Sequence, residues 1–96
     1  MKKYRVFVEG TNFALREEGK EIFKHGFYTT RFVEARDSKH AEDSVIQLIR
    51  KELKSVVLND CSDPPVMYVQ EMEEISDFGN HHVPGKGFSW YEAKAG

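Results

Sequence analysis

The sequence predicts an α+β domain in which a mainly antiparallel β-sheet packs on one α-helix. Three observations carry that expectation: two stretches of strand periodicity separated by a short polar turn, one amphipathic helical stripe, and further β-prone runs late in the chain. The element order is ββαβ with a final β. At 96 residues the chain holds one domain, residues 1–96, near the low end of what supports its own core.

The first strand starts at Tyr4, where Tyr4, Val6 and Val8 fall on one face and Arg5, Phe7 and Glu9 on the other. The second covers His25 to Arg36. Between them, Arg16-Glu17-Glu18-Gly19-Lys20 is polar with a glycine that can take positive φ, which predicts a long hairpin centred near Gly19. That centre brings Gly10 close to Gly26 or Phe27, and glycines at matching heights in a long ribbon mark a bulge or a sharp bend. It also sets Arg5 and Phe7 beside Tyr28 and Phe32, and Tyr4, Val6 and Val8 beside Phe27 and Val33.

A helix from about Ser38 to Leu53 follows, with an oxygen-bearing side chain at Asp37 or Ser38 to cap it. Ala41, Val45, Leu48, Ile49 and Leu53 form its apolar stripe, so Val45, Leu48 and Ile49 are expected against the sheet. Basic residues near Lys54 suit its negative end. Pro64 and Pro65 close a loop. The third strand begins at Val66 in the run Val66 to Ile75, and its alternation fails between Val69 and Met72, which predicts a bulge or an early strand end. Phe88, Trp90 and Tyr91 fit a short fourth strand.

Charge and apolar patterning exclude several classes. The 14 basic and 16 acidic side chains give a net charge of −2, without the positive excess or the basic stripe that drives phosphate-backbone binding. No nucleic-acid partner is expected. The longest apolar run outside the first strand, Val66-Met67-Tyr68-Val69, is far short of the roughly 20 residues of a membrane helix, and Glu9 interrupts the N-terminal stretch before a signal-peptide core is complete. One cysteine, Cys61, is expected in a reducing cytoplasm.

The stretch GNHHVPGKGFSW, residues 79–90, looks most like chemistry. A phosphate loop needs four residues between its glycines, then Lys and Ser or Thr; here five separate Gly79 from Gly85, and Gly87 follows Lys86. Pro84 and Gly85 instead suit a tight turn. Adjacent His81 and His82 point oppositely on an extended chain, and with His25, His40 and Cys61 they match no metal spacing, so no metal or cofactor is expected. Neighbouring Asp60 and Asp63 would raise the Cys61 thiol pKa, which argues against a nucleophile. Glu71, Glu73, Glu74 and Asp77 read as a solvated acid run that discourages edge pairing. No catalytic residue is assigned.

The second strand is more informative, because both its faces carry large apolar groups. Phe27, Val33 and Ala35 share one side while Tyr28 and Phe32 lie on the other, and one helix covers only one face of a small sheet. The Tyr28 and Phe32 side therefore needs an explanation: a cover from the aromatic tail, Phe78 through Phe88, Trp90 and Tyr91, a second copy of the chain, or a ligand groove. The leading expectation is a small cytoplasmic, non-catalytic domain that forms a homodimer and binds a protein partner through its sheet, with Tyr28, Phe32 and Trp90 as interface residues. The alternative is a small enzyme or metabolite-binding protein with a cleft between the 79–87 loop and the sheet, using His25, Arg31, His81, His82 and Lys86 as ligand-binding groups. In element order alone, over residues 1–75, the chain resembles small ββαβ domains such as the HicB-type antitoxins. That order is shared by unrelated functions and implies no site residue.

Overall fold

The computed structural model describes residues 1–16, 21–59 and 62–92, so the Glu18–Gly19 turn and Cys61 lie outside the described residues. The elements are β1 (Lys2–Arg16), β2 (Ile22–Ala35), α1 (Ser38–Leu53), β3 (Val66–Ile75) and β4 (Ser89–Glu92). They form one antiparallel sheet in the order β3-β1-β2-β4, with the helix on one face. This is the α+β arrangement expected from the sequence, with its long N-terminal hairpin.

The β1–β2 register pairs Arg5 with Phe32 and Gly10 with Phe27, then shifts between Gly10 and Phe13. Asn12 holds the extra residue with φ of 62°, and its side chain donates to Asp63 Oδ1 at 2.7 Å and to the Pro64 carbonyl at 3.1 Å. The shift has a packing consequence. Before it the even residues Tyr4, Val6 and Val8 face the core, and after it Phe13 does. The second bulge lies where Val69 to Met72 breaks alternation: Phe7 pairs with Glu71 and Val8 with Val69, leaving Gln70 as the extra residue.

The helix is capped by Asp37, whose carboxylate accepts from the His40 backbone N–H at 2.8 Å. It buries Ala41, Val45, Ile49 and Leu53 onto Tyr4, Val6, Val8, Phe27 and Ala35. Leu48 departs from the expected stripe. It is only half-buried, and Ile46 packs against the core instead. At 100° per residue the 41-45-49-53 line is the centre of contact, and Leu48 lies one step round the helix toward solvent.

Candidate functional site

The helix-free face divides into a covered end and an open end. At the covered end the 78–84 segment folds back over β2: the His81 ring stacks on Phe32 at 4.5 Å, Phe78 meets Phe32 edge-on at 6.3 Å, and the Phe32 N–H donates to the Pro84 carbonyl at 2.9 Å. Phe32 is 7% exposed as a result. The chain therefore supplies its own cover for Phe32. At the open end Phe7 and Tyr28 stack in parallel at 5.5 Å, the Tyr91 ring lies tilted beside Tyr28 at 5.5 Å, and Tyr28 and Tyr68 remain 38% and 42% exposed.

Glu9 lies at the base of that open end, and the register explains its surroundings. On central strand β1 it stands directly opposite Tyr28 of β2 and Tyr68 of β3. The bulged Gln70 of β3 reaches it as well. Tyr91 arrives from β4 by a different route: it pairs with Gly26, and a Cβ there would run into the Tyr91 ring and hydroxyl, so only glycine lets the ring lie across β2 toward Glu9. All four strands thus converge on one carboxylate.

Its hydrogen bonds are short. Glu9 Oε2 accepts from the Tyr91 hydroxyl at 2.6 Å, and Oε1 accepts from the Tyr68 hydroxyl at 2.7 Å and from Gln70 Nε2 at 2.6 Å. These donors, Tyr91 first and Tyr68 next, with smaller contributions from Gln70 and Tyr28, hold the Glu9 carboxyl below its ordinary pKa against the opposing effect of burial. The same bonds act in reverse on the phenols. Hydrogen bonding to Glu9 pushes Tyr91 up to about 12 and raises Tyr68, and the Glu9 charge raises Tyr28. Glu9 is 9% exposed and ionised, yet no described cation pairs with it; Arg5, four residues back along β1, faces Glu71 and Glu73 at 3.5 and 3.6 Å.

The residues proposed from sequence for a ligand cleft do not come together. Arg31 is fully buried on the helix side, where its guanidinium donates to Glu52 at 2.6 and 2.9 Å, to Thr29 Oγ1 at 3.0 Å, and lies 5.1 Å over the Phe88 ring. It clamps the helix to the sheet. His25 is buried on the same side, with Nδ1 3.0 Å from the Phe23 carbonyl and its ring edge-on to Trp90. His81 covers Phe32 on the opposite face, and His82 is exposed. Lys86 lines a small opening of about 320 Å³ beside Phe7 and Tyr28. The 79–87 loop lies on the sheet, held by Phe32 to Pro84 and by Thr29 Oγ1 to the Gly87 carbonyl at 2.8 Å, where the cleft was expected. Among the described residues no group of three or more His, Cys, Asp or Glu side chains is placed to hold a metal ion.

The proposed interface residues also divide. Tyr28 and Phe32 share the helix-free face, but Trp90 pairs with Phe27 and packs against Phe13, Phe27 and Phe88 on the helix side. A cavity of about 630 Å³ opens at the end of the helix over Phe13, Leu53 and Met67, rimmed by Arg50, Lys51 and Lys54. Those cations sit where the helix dipole favours them. No described helix is long and apolar enough to cross a membrane. No protein-family model, curated protein or solved structure matches this chain.

Proposed function

We propose that this chain is a non-catalytic binding domain that takes a protein partner on the open end of its helix-free sheet face. One observation carries the reading: an aromatic cluster with Tyr28 and Tyr68 exposed, and Phe7 and Tyr91 half-buried beside Tyr28, surrounds an ionised carboxylate that no described cation neutralises. Aromatic side chains supply contact area at low entropic cost, and a carboxylate held ionised at that surface favours a cationic group on what binds there. A single cysteine fits a reducing compartment, and the cytoplasm is the setting we propose.

Two occupants of the face follow from the sequence, a second copy and a different protein. Phe32, half of the argument for a homodimer, is already covered by the 78–84 segment. A two-fold contact centred on Glu9 would also bring two ionised carboxylates together in a low dielectric. Both points favour a different protein. Photo-crosslinking from Ser89, exposed beside Tyr28, tests this in the cells that make the protein, with Asp43 on the outer helix face as the control position. A discrete adduct with another protein from position 89 and none from position 43 is expected. An adduct of twice the chain's mass would assign the face to a homodimer, and adducts from position 43 alone would place the binding surface on the helix.

A further inference from the structure

The chemistry of the Glu9 cluster narrows what the partner presents, on the reading just given that the helix-free face binds a protein. Each hydroxyl of Tyr68 and Tyr91 has its proton committed to Glu9, at 2.7 and 2.6 Å. A phenol that donates to a carboxylate is polarised, and its oxygen becomes a better acceptor on the side away from that bond. Tyr28 stands on the same carboxylate from the other side. The Tyr68 and Tyr91 hydroxyls at the open end of the face are therefore left as acceptors, backed by a full negative charge.

The surrounding charge has the same sign. Along β1 from Arg5 to Glu9, with the β3 residues opposite, there are three carboxylates (Glu9, Glu71 and Glu73) and one guanidinium, Arg5, which pairs with Glu71 and Glu73. Lys86 lies at the far rim, beside Phe7 and Tyr28, so the negative potential is strongest on the Tyr68 side. What fits is a cation with several N–H donors and a flat surface. An ammonium offers compact, strongly hydrated charge, whereas a guanidinium stacks on aromatic rings and spreads its donors in one plane.

We propose that the Glu9, Tyr28, Tyr68 and Tyr91 cluster is a recognition site for an arginine side chain on the partner protein. The guanidinium lies against the exposed tyrosine rings, donates to their phenol oxygens and supplies the counter-charge that Glu9 lacks. Gly26 belongs to the site as a positioning residue, because it admits the Tyr91 ring.

The test is an NMR titration of the whole chain, observing tyrosine ring and Gln70 side-chain signals, with Nα-acetyl-arginine amide, its neutral isostere Nα-acetyl-citrulline amide, and Nα-acetyl-lysine amide. Saturable shifts confined to the cluster are expected with the arginine probe, weaker ones with lysine and none with citrulline. Glu9→Gln should weaken the arginine response about tenfold or more, as expected when one side of a charge-assisted contact is neutralised. Tyr68→Phe, at an exposed ring where folding is not at stake, should weaken it severalfold with the rest of the spectrum unchanged. Equal responses to arginine and citrulline, or an arginine response that survives Glu9→Gln in a folded variant, or no response at all, would overturn the proposal. If position 89 still crosslinks to another protein in any of those cases, the face binds protein by other contacts; if arginine binds but no adduct forms, the partner reading fails and the site stands.

Discussion

Glu9 is the residue that links stability to the proposed binding, and its hydrogen bonds give opposite pH dependences at the two ends of the scale. Its carboxyl is lowered in the folded chain, so the stability it contributes is present above the ordinary carboxylate range and is lost as pH falls through the lower folded value. Tyr91 is raised to about 12, so its contribution is complete below the ordinary tyrosine value and is lost as pH rises toward 12. An alkaline absorbance titration should resolve one tyrosine ionising near 12, and Glu9→Gln should return that step toward 10.0. A tyrosine step unchanged by the substitution would show that Glu9 is not its cause. Arg31 offers a second test at this scale. Glu52→Ala leaves a fully buried guanidinium without its carboxylate, a loss of about 3–5 kcal/mol for a buried pair, and the lower end applies because Glu52 keeps 34% of its side chain in water. Denaturant midpoints of the variant and parent check this directly.

At the scale of elements, the helix and the two bulges decide which side chains reach which face. Ile49→Ala removes a fully buried side chain and should cost about 2–5 kcal/mol, whereas Leu48→Ala, one step round the helix, should cost about 1 kcal/mol or less. Equal losses would place the contact line on the wrong side. A Cβ at Gly10 would meet the rings of Phe27 and Phe13, so Gly10→Ala should destabilise by about 1–3 kcal/mol through overpacking. Gly26→Ala should do something more specific: displace Tyr91 from Glu9 and lower its ionisation from about 12. The pairing of β1 with β2, the helix limits and the irregularity in β3 were legible because each rests on local period or turn chemistry: Tyr4-Val6-Val8, the Asp37 cap, and the break after Val69. Leu48 was misplaced because a stripe of five apolar residues does not say which edge of it touches the sheet.

For the whole molecule, the sequence exposed the need to cover a second sheet face but not how the cover is shared. Tyr28 and Phe32 alternate with Phe27 and Val33, and that pattern alone requires two apolar surfaces. That His81 would stack on Phe32 and Trp90 would turn to the helix side depended on the path of an irregular loop, which no periodicity encodes. Glu9 was half-legible. The sequence set Glu9 on the face of Arg5 and Phe7, the face of Tyr28, but Tyr68 and Gln70 come from a strand whose register is set by long-range pairing, and Tyr91 from a fourth strand beyond it. A charged residue in the middle of an otherwise apolar strand, Val6-Phe7-Val8-Glu9, was the available signal. The central claim is that the open end of this face is bare in the isolated chain and covered in its working state. Hydroxyl-radical footprinting compares the two directly, in purified protein and in intact cells at native abundance. The account predicts strong labelling of Tyr28 and Tyr68 in the purified chain and protection of both in cells, with Val83 and Leu58, exposed elsewhere, labelled alike in both. Equal labelling of Tyr28 and Tyr68 in the two settings would contradict it.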